Sequence, residues 1–380
     1  MVLSGDCIEL MRGFGANTID AIVTDPPYGL GFMGKAWDEL PPGLPWAQEC
    51  LRILKPGGHI IAFGGTRTWH RLAVAIEDAG FEIRDSIAWL YGSGFPKSHD
   101  IAKAIDKDAG HWRGRAGAVV STNDAMSAAN YERTPKGDPI TAAAAAAWEG
   151  WGTALKPAFE PAVVGRKPFS ATVAANVLEH GTGALNIDAC RIGDEVRVNA
   201  PGSTKPRVAM GGGWRDDAES HEVTGRWPAN VILDESQAEA LDEQSGTLTS
   251  GKMKAGTKVQ KQETDVYGTF QPYTLDKTIA GDSGGASRFF YVAKAPTKER
   301  PKVDGVAHPT VKPLALMRHL VRLVTPPGGI VLDTFAGSGT TLEAAYLEGF
   351  NAIGMEREPS YLPLIAARIA RVLETQEQTA

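Results

Sequence analysis

Thr24-Asp25-Pro26-Pro27-Tyr28-Gly29 sets a carboxylate, a proline-stiffened turn and an aromatic ring directly behind an apolar stretch at residues 21–23. That combination suits a flat base with an exocyclic amine. The lone pair of such an amine is delocalised into the ring, so the nitrogen becomes nucleophilic only when acceptors draw its hydrogens out of the plane. The Asp25 carboxylate and the Pro26 carbonyl are two such acceptors, and two consecutive prolines fix the backbone angles that hold them in place. Tyr28 can stack on the base. An ordinary strand-ending turn also uses Asp-Pro and proline pairs, so this segment alone leaves both readings open.

A second segment, Asp333-Thr334-Phe335-Ala336-Gly337-Ser338-Gly339-Thr340-Thr341, follows the apolar residues 330–332. Its glycines permit a tight turn, and amide donors at the start of the following helix can face a nucleoside cofactor. Phe335 can pack against such a cofactor and Asp333 can meet a cationic amine. The spacing is not GxGxxG and no Gly-Lys-Ser/Thr is present, which argues against dinucleotide and phosphate-binding loops. Glu356 ends the next strand-like run about twenty residues on, where a carboxylate suits ribose hydroxyls, although a solvated acid at a helix start reads the same way. The two segments make chemical sense only if the fold joins them, and together they describe methyl transfer to an amine.

Both motifs resemble those of the amino-methylating DNA methyltransferases that use S-adenosylmethionine, in the permuted (beta-class) order of bacterial and phage enzymes, with the catalytic motif first. The resemblance covers the first hundred and last ninety residues, and the middle matches more weakly. It implies in-line transfer from S-adenosylmethionine to the N6 of a flipped-out adenine in double-stranded DNA, with cytosine-N4 or an RNA amine as alternatives and no metal ion. Asp25, Pro26, Pro27 and Tyr28 are then catalytic. Asp333, Phe335, Gly337, Ser338, Gly339, Thr340 and Glu356 hold the cofactor. The resemblance adds Asp6 at the cofactor adenine, where a helix N-cap explains it equally well. It also adds Thr310 and Lys312, from His308-Pro309-Thr310-Val311-Lys312-Pro313, at the methionine carboxylate; His308 itself reads as structural. Residues 151–157 through Glu160-Pro161 resemble a stretch of phage-type members. Trp37, Trp89 and Tyr91 are candidate walls of the base pocket. The resemblance leaves room for a homodimer and for a restriction endonuclease partner.

At 380 residues with 43% hydrophobic and 22% charged residues, the chain has the composition of a globular protein of about two domains. A formal net charge of -6 argues against coating nucleic acid by bulk electrostatics and still allows a local basic cleft. Lys252, Lys254, Lys258 and Lys261, then Lys294, Lys298, Arg300 and Lys302, are candidates for such a cleft, with solvated faces the plain alternative. Arg166, Lys167, Arg191 and Arg226 are candidate phosphate contacts. Three scattered cysteines, Cys7, Cys50 and Cys190, predict neither a disulfide framework nor a zinc site. With no signal-like start and no apolar run near ~20 residues, the expected place is the cytoplasm, away from membranes.

The elements that must position these residues alternate. Strands near residues 1–3, 19–23 and 59–63 are separated by helices near 8–12 and 46–54, and a helix near 68–79 follows. A Lys55-Pro56-Gly57-Gly58 turn precedes the third strand. Residues 81–90 predict one or two further strands forming an antiparallel edge. At the other end the pattern repeats: helix 314–324, strand 330–332, helix 341–348, strand 352–355, helix 360–373. Joined, the halves predict an α/β, doubly wound, mostly parallel Rossmann-like sheet. The expected domains are a discontinuous methyltransferase domain, 1–97 with 286–380, and an inserted small target-recognition region, 98–285.

Overall fold

The computed structural model describes residues 1–30, 41–94, 98–108, 143–199, 221–259, 262–264, 268–270, 273–293 and 301–377. Its central sheet takes nine strands: β1 (Val2–Ser4), β2 (Ile19–Thr24), β3 (Leu54–Phe63), β4 (Glu82–Leu90), β5 (Phe159–Arg166), β6 (Val231–Asp234), β7 (Tyr291–Ala293), β8 (Ile330–Asp333) and β9 (Asn351–Glu356). Their spatial order is β1-β9-β8-β2-β3-β5-β4-β6-β7. All neighbours pair in parallel except at β5, which runs antiparallel to both β3 and β4.

Alternation along the inner strands assigns the two faces. Ile22 and Ile60 point to one side, against Trp46, Cys50 and Ile53 of α2 (Leu44–Ile53) and Leu72 and Ile76 of α3 (Trp69–Asp78). The short helix α1 (Cys7–Arg12) adds Met11 to that layer. Ala21, Val23, Ile61 and Phe63 point to the other side. There they meet Leu316, Leu320 and Val324 of α8 (Leu314–Val324) and Ala344 and Ala345 of α9 (Thr340–Leu347). Strands covered on both faces read as continuous apolar runs, and β2 is buried at all six positions. The last helix, α10 (Leu362–Glu377), packs on α9. Helices α4 (Ile101–Asp108), α5 (Ala143–Ala146), α6 (Val173–His180) and α7 (Glu235–Ser245) complete the set among the described residues.

Three expectations need correction. The antiparallel strand is not an edge at residues 81–90: β4 runs with the parallel set, and β5 between it and β3 carries the reversal. The inserted region does not span 98–285, because β5 and β6 fall inside that range and belong to the sheet. The chain divides instead into one unit of Met1–Gly92 with Phe159–Ala380 and a second unit of Ser93–Ala158. Within the second unit Asp100 bridges Gly152 and the rings of Trp148 and Trp151 meet edge-on at 5.1 Å. Lastly, Lys55-Pro56-Gly57-Gly58 is no turn before a strand but a bulge inside β3. Ile19 pairs with Leu54 and Ala21 already with His59, so the extra residues bow out. Gly57 sits at φ +79°, and a Cβ there would come within 2.4 Å of Asn176 Nδ2.

Candidate active site

The carboxyl ends of β2 and β8 lie side by side, with Val331 opposite Ala21 and Leu332 opposite Ile22. Strand order departs in opposite directions from this pair, the place where open α/β sheets leave a crevice. Asp20 secures the lower end: its carboxylate accepts from the Ile330 amide at 2.8 Å and the Lys55 ammonium at 2.6 Å. At the upper end the Thr24 hydroxyl donates to Asp333 Oδ1 at 2.6 Å, so two segments 309 residues apart in sequence are hydrogen-bonded. Trp46 Nε1 donates to Thr334 Oγ1 at 3.2 Å and its ring lies 6.0 Å from that of Phe335.

A cleft of about 550 Å³ opens above this junction, and the predicted residues converge on it. Asp25, Pro26, Pro27 and Tyr28 form one side. Asp6, Asp333, Phe335, Gly337, Ser338, Thr340 and Glu356 form the other, with Thr310 and Lys312 between. Gly339 stands behind the lining at φ +81°, where a Cβ would lie 3.0 Å from Ile365 Cγ2.

The glycine turn is held from three directions. Glu356 accepts the amides of Gly337 and Glu358, each at 2.7 Å, so its carboxylate caps the loop. Arg368 of α10 donates through Nε to the Ser338 carbonyl at 2.9 Å and pairs with Glu343 of α9 in the protein interior. His308 covers Gly337, whose φ is +52°; a Cβ there would meet His308 Nε2 at 3.1 Å. That ring also packs edge-on against Tyr361. Asp6 caps α1, accepting from the Ile8 and Glu9 amides at 3.0 and 3.3 Å, which is the N-cap alternative, and it lines the cleft as well. Burial raises the Asp333 carboxyl to about 6, against the lowering effect of hydrogen bonds from Thr24, Thr341 and the Phe335 amide. Burial likewise raises Glu356.

On the β2 side the chemistry is carried by side chains. Tyr28 Oη stands 2.9 Å from Asp25 Oδ1 and 2.9 Å from Glu160 Oε2. Lys312, expected at a methionine carboxylate, places its ammonium 2.7 Å from Asp25 Oδ2 and 3.0 Å from Glu160 Oε2. Its own burial disfavours the charge, yet the two carboxylates outweigh that and hold the ammonium well above its ordinary range. Glu160 is the residue that sequence reading gave no role. Its signal was a lone acid at the head of the apolar run 161–164, a charge that a buried strand does not carry without a partner.

Other candidates have different fates. Trp89 and Tyr91 have ring centroids 4.9 Å apart, and burial together with the Glu160 carboxylate pushes the Tyr91 phenol up to about 12. Trp37, Lys261, Lys294, Lys298 and Arg300 lie outside the described residues. The supposed phosphate contacts are tied within the protein: Arg166 to Glu82 at 2.5 Å, Lys167 to the Leu54 carbonyl at 2.8 Å, Arg191 to Asp188 at 2.8 Å and Arg226 to Asp282 at 2.5 Å. Among the described residues no group of three or more His, Cys, Asp or Glu could hold a metal ion, and no helix is long and apolar enough to cross a membrane.

The sequence profile of a family described as DNA methylase matches residues 19–136 and 215–367. The type II methyltransferase M.HindIII of Haemophilus influenzae is 24% identical over 400 residues, covering 94% of this chain and 90% of its own. M.BglI of Bacillus subtilis, also a type II methyltransferase, is 49% identical over 57 residues, 15% of this chain and 16% of its own. Among solved structures, the M1.HpyAVI-SAM complex aligns with 97% of this chain and 98% of its own at 17% identity and a TM-score of 0.41. The cytosine-N4-specific PvuII DNA methyltransferase aligns with 97% of this chain and 85% of its own at 15% identity and a TM-score of 0.43.

Proposed function

The chain belongs to the DNA methylase family, and within it we propose that this protein methylates the exocyclic N6 of adenine in double-stranded DNA, with S-adenosylmethionine as donor. The observation that carries the reading is the Thr24–Asp333 hydrogen bond, which joins an acceptor-bearing Asp-Pro-Pro-Tyr turn to a glycine turn across one cleft.

The residues suit that cofactor. Gly337 leaves a side-chain-free surface where a Cβ would crowd His308, Asp333 offers a carboxylate to an amine, and Glu356 keeps lone pairs for ribose hydroxyls while it caps the loop. Bound there, S-adenosylmethionine supplies a methyl group on a cationic sulfur, open to a nitrogen lone pair. Asp25 and the Pro26 carbonyl accept the two amine hydrogens and turn the lone pair out of the ring plane. Tyr28 presents its ring to the base, which leaves the duplex to enter the cleft; stacking on an aromatic side chain offsets part of the cost of unstacking, at about 1–3 kcal/mol per base. Asp at position 25 favours adenine, since the amino-methyltransferases this chain resembles more often carry Ser there for cytosine.

Target recognition belongs, in this reading, to those parts of 98–285 outside the sheet. One is the ribbon of Ile192–Asn199 and His221–Arg226, anchored through Arg197 and Arg226 to Asp282. The test is to incubate the protein with labelled S-adenosylmethionine and unmodified DNA, digest the DNA and separate the nucleosides by mass spectrometry. N6-methyladenine is the expected product. Methylcytosine without methyladenine overturns the choice of base, and label absent from DNA but present in RNA overturns the choice of nucleic acid.

A further inference from the structure

Glu160 reaches the cleft because β5 runs backwards. Its register sets Ala162 against Phe63, the last residue of β3, so the start of β5 overhangs the edge at which β2 and β8 end. There the single hydrogen of the Tyr28 phenol faces two carboxylate oxygens, Asp25 Oδ1 and Glu160 Oε2, both at 2.9 Å. Lys312 touches all three groups, at 2.7 Å from Asp25, 3.0 Å from Glu160 and 2.9 Å from the phenol oxygen. Tyr91, beyond β4, lies within electrostatic reach of Glu160, as His308 does of Asp25 and Lys312. Burial, then Asp25 and Glu160, push the Tyr28 phenol well above its ordinary range, so it stays neutral. Neither Tyr28 nor Lys312 can store an extra proton: the ammonium is full, and the phenol can take one only by giving one up.

Methylation of an amine leaves such a proton. The nitrogen gains the methyl carbon while the carbon–sulfur bond breaks with its electron pair kept by sulfur, and the nitrogen, now cationic, must shed one hydrogen. We propose that Glu160 receives it through Tyr28. Asp25 takes the proton from nitrogen and passes it to the phenol oxygen as the phenol's own hydrogen moves to Glu160. Asp25 is again a carboxylate, Tyr28 a neutral phenol and Glu160 a carboxylic acid, which returns the proton to water at the cleft it lines. Lys312 keeps its hydrogens throughout and fixes the spacing of the relay. Glu160 is thus a positioning and relay residue rather than a contact to the base, and the inference rests on the methyl-transfer reading.

The test uses Glu160→Gln, which preserves shape, alongside Tyr28→Phe, which preserves the ring. The wild type must first methylate DNA; if it does not, the functional reading fails and not the relay. Given that activity, each variant is expected to lose about 10²-fold in single-turnover rate. Calorimetry should keep the S-adenosylmethionine Kd within about twofold. The double variant should be no slower than either single one, since both break one path. Glu160→Asp should recover part of the rate. A Glu160→Gln rate within about twofold of wild type overturns the relay. If that variant does not fold, a wild-type rate in Tyr28→Phe overturns it instead.

Discussion

On the β8 side of the cleft the lining is built around a glycine turn, stiffened by Glu356 beneath and by the buried Arg368–Glu343 pair behind. On the β2 side it is ionisable side chains, Asp25, Tyr28, Glu160 and Lys312, each bonded to at least two of the others. The first arrangement fixes shape, since an amide in a glycine turn has one direction. The second fixes charge and lets protons move. A site that must hold one nucleoside and react with another gains from this separation, because either function can change without the other.

The sharpest way to break the comparison is to damage shape alone. Gly337→Val adds a side chain at φ +52° against His308, so S-adenosylmethionine binding measured by calorimetry should vanish, and turnover with it. Next, Asp25→Ala should lower turnover by about 10³-fold while cofactor affinity stays within about threefold. Equal loss of binding would merge the two halves. Third, Lys312→Met leaves two partly buried carboxylates facing each other and should cost about 3 kcal/mol in urea unfolding, which Glu160→Gln in the same chain should partly restore. The smallest effect belongs to Asp333. Burial raises its carboxyl to about 6, so it is mostly ionised at pH 7 and mostly protonated at pH 5. Affinity for the cationic cofactor should weaken by about tenfold between those values, and Asp333→Asn should flatten the dependence.

The same linkage carries opposite signs elsewhere. Burial lowers His59 and His319 to about 4, so each contributes stability that is present above about 6.5 and lost as pH falls towards 4. The raised Asp333 contributes in the other sense, most fully below its unfolded value and less as pH rises through about 6. From the two histidines, stability should fall on acidification from about 6.5 towards 4.

Local chemistry was legible in the sequence wherever a motif and its strand were contiguous. The apolar residues before Asp25 and Asp333 fix β2 and β8, and all but one of the predicted site residues line a single cleft. What the sequence left hidden was non-local. The run 161–164 is apolar, but nothing in it states that it forms a strand that enters between β3 and β4 and runs backwards, so the region it heads passed for an insertion. Glu160 was missed for the same reason, since its role depends on that direction. Lys312 was assigned by motif to a carboxylate of the cofactor, whereas the protein supplies two carboxylates of its own. The four basic residues expected at phosphates are an allied case, because a cation's partner, a carboxylate or a backbone carbonyl, can lie anywhere in the chain.

The junction of β2 with β8 has a consequence for how the molecule is made. Thr24 and Asp333 are 309 residues apart, so at about 5–20 residues per second β2 waits some 15–60 s on the ribosome before its partner exists. Throughout that interval a strand buried at all six positions in the folded protein has one unpaired edge, the kind of surface that other chains bind. Nascent-chain chaperones should therefore hold this protein until residues 330–333 emerge, and overexpression that outruns them should yield aggregates seeded by residues 19–24.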